Sequence, residues 1–569
     1  MSPTTSAIVL PSYDDPVVAG AVEVVGGRPG RHTRLGAARF WTPIRILLAL
    51  TLLTCAFGWA QKAPCRDGRK WVHEYQYTRA CYSDVVALYS AEGLASGRRP
   101  YLDQPVEYPV VIGAVMELAA LASDALTTGF PDRPTSQAGA DLKLARTPQE
   151  AQAARTARSS AEANAGGRHF YDVTWLLLTV CALVVTVTTA RLAGRRVWDA
   201  ALFALAPTLV LHLATNWDLV AVALAGIGLL LWARSRPVLA GVLLGLATAT
   251  KLYPVLFLAP LLLLCLRAAR VRVWSACAGA LVLTAIAVTG PVYLVSPMFV
   301  ERGGVQTQLV GSPLTRLASE GLGALAPHRT VATETGVNAV YRFFELNTLR
   351  GADWDSLALQ ATHLHTDHPD TPWAYVGNAW AGLFTDAGLA PGQPPTHLNS
   401  AVAASFLLVL GALALLTLRA PRRPRLAQLL FLTMVAFLLT NKVDSPQYVL
   451  WLLPLAALAR PRWRPFLAWQ ATEGLVLLTR FAFFIGNDKP GQGLGINWFF
   501  AAVLLRDGLL LLYAALVVRD ILRPDLDVVR ADGADDPAGG VLDGAADRAP
   551  RNAGVQDSGA WSSAYTGTA

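Results

Sequence analysis

About twelve apolar runs, separated by short polar connections of which every second one gathers arginines, limit this chain more than any other feature of its sequence. The runs cover about 44–60, 173–190, 198–213, 219–232, 238–250, 253–266, 274–295, 401–418, 426–440, 448–458, 466–485 and 498–518. Segments this apolar satisfy their backbone polar groups in lipid only as helices, so the expected fold is an all-α polytopic membrane protein with about twelve transmembrane helices. Composition agrees: of 569 residues, 53% are hydrophobic and 15% charged, which excludes an ordinary soluble enzyme. The net charge of +8 comes from short clusters such as Arg191/Arg195/Arg196, Arg267/Arg270/Arg272 and Arg419/Arg422/Arg423/Arg425. These are topology signals, not a nucleic-acid surface, and by the positive-inside rule they face the cytoplasm with both termini.

That parity organises the chain. Residues 1–43 and 519–569 are expected as disordered cytoplasmic tails, the second because it is rich in Gly, Ala and Asp, and 44–518 as the membrane domain. The run at 44–60 lies too deep for a cleaved signal peptide and reads as an uncleaved first span. If 110–126 also crossed, every later arginine cluster would fall outside; with Glu117 and Asp124 in it, this segment reads as a juxtamembrane or re-entrant helix. Two large loops then lie outside, 61–170 with a flexible insert at 131–168, and 296–400. Of the six cysteines, Cys65 and Cys81 share the first loop, where a disulfide persists and would pin the following segment to the first span. The others sit in or beside spans as packing residues.

The polar residues at the outer helix ends carry whatever chemistry there is. All six lysines, Lys62, Lys70, Lys143, Lys251, Lys442 and Lys489, fall on that side. Asp84 opens DVVALYSAEGL, a pattern of helical period that suits a short surface helix. It is either a helix cap or a general base with access to water and lipid. Asp218, in ATNWDLV, marks a helix boundary beside an interfacial tryptophan. Lys251, in ATKLYP, joins two runs too short to reach the surface easily, so it either snorkels or meets an anion in a wet cavity. Lys442, in TNKVDSPQY, repeats the theme or marks an ordinary turn before Pro446. Arg342 can bind a phosphate or pair with Glu345 on one helix face. A carboxylate at the rim and cations at the floor suit a lipid-borne phosphate and an attacking hydroxyl.

The first-loop SDV with Asp84, the PYLDQPVEYP segment, the run from NWDLV to KLYP and the later NKVDSPQYVLWLLP resemble the actinobacterial integral-membrane glycosyltransferases of family 87, in the GT-C superfamily. The resemblance covers about 44–518 and implies a GT-C-like bundle with juxtamembrane helices in the first outer loop. It further implies inverting transfer of a sugar, mannose by preference, from a polyprenyl-phosphate donor to a glycolipid or glycan acceptor on the extracytoplasmic face. Asp84 matches the superfamily's catalytic aspartate, and Lys251, with Lys442 and Arg342, would lie near the donor phosphate. Tyr108, Asn216, Asp218, Tyr253 and Gln447 fall in these motifs as substrate contacts, and a second acidic position stays open between Asp103 and Glu107. No cofactor is implied. His363, His365 and His368 with Asp367 form a weak zinc-like spacing, and metal-independent chemistry is the expectation. The rival reading is a transporter or flippase of lipid-linked sugars without catalysis; against it, the charges gather at one face instead of the midplane.

Overall fold

In the computed structural model the described residues are 15–25, 40–66, 75–128, 167–302, 305–360, 393–489, 491–531 and 533–548. The insert at 131–166 and the histidine cluster at 363–368 lie outside them. The chain is mostly helical. Helix α1 (Pro43–Lys62) starts cleanly, with Pro43 at its first position and the Thr42 hydroxyl accepting from the Arg45 amide. The first loop carries α2 (Asp84–Ala91) and α3 (Val110–Thr128), and the chain re-enters the bundle through α4 (Gly167–Leu192). There follow α5 (Asp218–Ala233), α6 (Pro237–Thr250), α7 (Leu258–Arg267) and α8 (Val271–Val295). After the second loop and its helix α9 (Arg342–Leu349) come α10 (Thr396–Arg419), α11 (Leu426–Thr440), α12 (Val449–Ala459), α13 (Trp463–Asp488) and α14 (Ile496–Leu522).

Among the described residues, five helices are long and apolar enough to cross a membrane: α1, α4, α8, α10 and α14. They mark a membrane protein. Most of the remaining expected runs are apolar helices shorter than a full crossing, including α5, α6, α11 and α12. The run at 198–213 is broken into short turns, the last of them Pro207–His212, because Pro207 cannot continue the preceding helix. The run at 466–485 lies within α13, which also carries Glu473 and Arg480. Helices α5, α11 and α12 are buried on nearly every side and form the interior, whereas α8 and α10 expose Leu283, Ile286, Leu407 and Leu408. An outer surface that apolar fits lipid better than water.

Two expectations need correcting. The fold is not purely α: the second loop holds an antiparallel sheet of β1 (Met298–Arg302), β2 (Val305–Val310), β3 (His328–Val331) and β4 (Glu334–Asn338) in the order β2-β1-β4-β3. Short hairpins with alternating residues such as VQTQLV supply its edges. Nor is the chain after 519 a disordered tail throughout, since α14 runs to Leu522 and residues as far as 548 fold back on the bundle. The reason is charge pairing with the arginine-rich helix ends. Asp527 holds Arg425 at 2.7 Å with both side chains buried, and Asp547 holds Arg267 at 2.6 Å. The Trp232 indole donates to the Gly539 carbonyl at 3.0 Å. Gly540 has a positive φ of 59°, and a Cβ there would meet the Trp232 carbonyl oxygen at 2.0 Å.

Helices α6 and α8 touch through backbone. Gly241 and Gly245, four residues apart, let carbonyls of α8 approach so closely that a Cβ at Gly241 would lie 2.2 Å from the Cys277 oxygen, and one at Gly245 2.6 Å from the Leu281 oxygen. This seat fixes the end of α6, where Lys251 sits. Gly241→Ala should therefore cost about 1–3 kcal/mol through overpacking, read as a lower unfolding midpoint in detergent, with Gly474→Ala, where a Cβ meets nothing nearer than 3.9 Å, as the mild control.

Candidate active site

The segment that follows Cys81 is tied down on two sides. A disulfide joins Cys65 to Cys81, and the Lys62 ammonium donates to the Tyr82 carbonyl at 2.7 Å, fixing the segment to the end of α1. From the other side, the Ser83 hydroxyl donates to the Ala214 carbonyl at 2.6 Å and the Asp84 amide to the Thr215 carbonyl at 2.8 Å. Ser83 stands in the N-cap position of α2 without a capping hydrogen bond from its side chain, and Asp84 is the first helical residue. Asp84 is therefore not the N-cap. The Asp84 carboxylate instead accepts from the Asn216 amide at 2.8 Å and from the Tyr82 hydroxyl, and it lies on the wall of a cavity of about 620 Å³. Burial, then the Asp84 charge, push the Tyr82 hydroxyl well above its usual range, so it stays a donor.

Asn216 is the bridge across this wall. Its Nδ2 reaches the Tyr108 hydroxyl at 2.7 Å as well as Asp84, while its Oδ1 accepts from the Trp217 amide at 2.6 Å. Tyr108 is set in place by Tyr101, whose hydroxyl donates to the carbonyls of Tyr108 and Pro109 at 2.9 and 3.0 Å. Gly113 makes room for that latch: a Cβ there would lie 2.3 Å from the Tyr101 ring. The Tyr108 ring in turn faces Lys251, whose ammonium is 4.9 Å from the ring centroid and 5.9 Å from that of Tyr448.

Lys251 does not snorkel. At 8% exposure it sits at the end of α6, in extended backbone, with its Nζ 3.4 Å from Asp218 Oδ1 at the start of α5. Asp218 is fully buried, and the Trp451 indole donates to the same oxygen at 2.8 Å. Trp451 stacks between Tyr253, at 4.4 Å, and Tyr448, at 4.0 Å, so three rings from two junctions brace the pair. Tyr253 and Gln447 line the cavity; Asp218 lies behind Lys251 and positions it.

Other expected residues separate. Glu107 is on the cavity wall, whereas Asp103 is held by Arg99 at 3.0 Å on the protein's outside, which favours Glu107 as the second acidic position. Partial desolvation raises the Glu107 carboxyl, Arg350 opposing and Asp84 adding to the shift. Lys442 is on the wall, but its ammonium donates to the Arg350 carbonyl and the Asn399 side chain, both at 2.5 Å, and so ties the second loop to the bundle. Arg342 is not brought to the cavity. It pairs with Glu345 at 2.6 Å and with Glu301, the structural alternative that its sequence context already offered. Lys62, His212, Arg350 and Arg480, none of them singled out from sequence, complete the charged and polar lining. For Lys62 the scarcity of lysine was a usable signal; for the others nothing in their local sequence marked them.

A carboxylate and an ammonium thus face one cavity, joined through Asn216 and Tyr108. Residues 169–362 match the family model of glycosyltransferase family 87. The match runs from the start of α4 past α9, and contains Asn216, Asp218 and Lys251 while leaving Asp84 and Lys442 outside. It points to a membrane glycosyltransferase. No curated protein matches the chain. Among the described residues no group of three or more His, Cys, Asp and Glu is arranged to hold a metal ion.

Removing one partner of a buried ion pair strands the other. Asp218→Ala should cost about 3–5 kcal/mol and lower the unfolding midpoint, while Asp218→Ala with Lys251→Met should recover part of that loss. For Glu107, a raised carboxyl stabilises the fold fully only below the ordinary carboxylate range, near pH ~4, and the contribution fades as pH rises through the elevated value. Glu107→Gln should accordingly raise the unfolding midpoint relative to the parent at neutral pH, and the advantage should shrink on acidification.

Proposed function

We propose that this chain is a polyprenyl-phosphate-sugar-dependent hexosyltransferase, moving mannose or a related sugar onto a hydroxyl of a glycolipid or glycan acceptor with inversion. The observation that carries the reading is the shared cavity of Asp84 and Lys251, with the protonated Tyr82 and the Asn216 amide holding the carboxylate in place. Asp84 acts as general base and takes the proton of the attacking hydroxyl. As the acceptor oxygen bonds to the anomeric carbon from one face, the bond to the phosphate oxygen breaks on the other, and the electron pair leaves with the phosphate. Its growing charge is met by Lys251, an ammonium held by protein contacts before the reaction begins. Arg350, on the same wall and paired with Asp353 at 2.7 Å, is a second cation within the cavity.

A lipid donor fits the surroundings of Lys251. Leu252, the next residue, lines the cavity and is 39% exposed, and Val255 one turn on is equally exposed, an apolar surface beside Lys251 that suits a polyprenyl chain. The ends of α5, α11 and α12 away from the cavity are where Arg234, Arg425 and Arg460 gather, and under the positive-inside rule this supports a cavity on the extracytoplasmic side with both termini cytoplasmic.

Membranes carrying equal amounts of the parent or of Asp84→Asn, given polyprenyl-phosphate-[³H]mannose, test the reading. Label should enter the lipid fraction with the parent and fall by about 10²–10⁴-fold with the variant, donor binding being retained. Equal transfer by both removes Asp84 from the mechanism. A parent that moves donor across the bilayer without transferring label favours the transporter reading.

A further inference from the structure

His212 and Lys62 belong to the cavity wall, yet the chemistry above uses neither. Both are almost fully buried, at 1% and 2% exposure. The Thr215 hydroxyl donates to the Leu211 carbonyl at 3.3 Å, which leaves its lone pairs for His212 Nδ1 at 3.4 Å. In the tautomer that donates Nδ1–H to this oxygen, Nε2 carries a bare lone pair, and Nε2 has no hydrogen-bond partner among the described residues. The Lys62 ammonium uses one of its three donors, toward the Tyr82 carbonyl, and the other two meet no acceptor among the described residues. A buried ring nitrogen and a buried amine left with unmet hydrogen-bonding capacity each cost the fold stability that a ligand can restore.

Their position is specific. Lys62 binds the carbonyl of Tyr82, the residue whose hydroxyl holds Asp84, and lies within electrostatic range of both Asp84 and His212. His212 lies one helical turn before Asn216, on the segment whose Ala214 and Thr215 carbonyls seat Ser83 and Asp84. Lys251, in contrast, is reached from Asp84 only through Asn216 and Tyr108. Two lysines, Lys62 and Lys251, thus reach Asp84 by different routes. The Lys62 side also has Tyr77, whose ring lies 5.7 Å from Phe481 and 5.5 Å from Phe484, all three on the cavity wall. Aromatic faces beside a ring nitrogen and an amine donor complement a sugar ring, with its apolar C–H face and its hydroxyls that both give and receive.

We propose that Lys62 and His212 form a sugar-hydroxyl subsite that holds the acceptor, His212 Nε2 accepting from one hydroxyl and Lys62 donating to an adjacent oxygen, so that the attacking hydroxyl is presented to Asp84. The proposal rests on the transferase reading and assigns its acceptor side. Neither residue exchanges a proton with the reacting atoms; both position the acceptor.

The test uses the full chain in membranes with polyprenyl-phosphate-[³H]mannose as donor and, as acceptor probe, the total lipid extract of the organism that makes the protein. Each substrate is varied with the other held constant, and free labelled mannose is counted beside labelled lipid. His212→Leu and Lys62→Met should each raise the acceptor concentration for half-maximal transfer at least about 3- to 10-fold, the range for losing one hydrogen bond. Donor half-saturation should stay unchanged, and the share of donor lost to hydrolysis should rise. His212→Gln, whose side-chain oxygen can stand in for Nε2, should restore most of the acceptor affinity. A rise in donor half-saturation instead would place the donor sugar there and overturn the assignment. So would unchanged values in His212→Leu, which also guards against a Lys62→Met chain that fails to fold. Failure of the parent to transfer label is a separate result, since it removes the transferase reading itself.

Discussion

The buried pair of Asp218 and Lys251 is the interaction on which the rest of the cavity depends. A carboxylate with no solvent contact is tolerable only beside a counter-charge, and Asp218 has one charged neighbour at 3.4 Å and one indole donor at 2.8 Å. The pair therefore fixes where α5 begins, where α6 ends and which way Trp451 points. Through the Tyr108 ring it also fixes the first loop against the bundle, and through Asn216 the carboxylate of Asp84. Five chain segments distant in sequence are held in one register by groups that have no cheaper arrangement.

Much of this was legible in the sequence, for physical reasons that also set the limit. Apolar runs are one-dimensional signals, so a mostly helical membrane protein was legible; Asp84 and Lys251 stood out as polar residues at helix ends, while Tyr108 and Gln447 came only from the resemblance. The Cys65–Cys81 bridge followed from proximity along the chain. Which charge pairs with which is three-dimensional. For Arg342 the pairing with Glu345 was open in the sequence, but Glu301, which comes to it from a strand some forty residues earlier, was not. His212 lies in one of the apolar runs, and its unmet ring nitrogen faces a cavity that no window of sequence contains.

The segment after α14 makes the same point from the other end of the bundle. Its Gly, Ala and Asp content is that of a chain too polar to bury a core, and by itself it would not fold. Its aspartates nevertheless meet arginines already fixed at the helix ends: Asp527 with Arg425, Asp535 with Arg422, Asp547 with Arg267. Arg425 adds hydrogen bonds to the Leu458 and Ala459 carbonyls, so the segment closes the ends of α11 and α12 together. Composition describes what a segment does alone, and this one is not alone.

The exposed apolar side chain of Leu252 on the cavity wall bears on how the proposed transferase would experience its substrate. A lipid-linked donor entering there would arrive from within the bilayer, and its occupancy would be set by its mole fraction among the surrounding lipids, not its amount per volume of water. Diluting the suspension would leave the rate per protein unchanged, whereas adding inert phospholipid to the same membranes would slow it. Such a cavity would meet its donor in two dimensions.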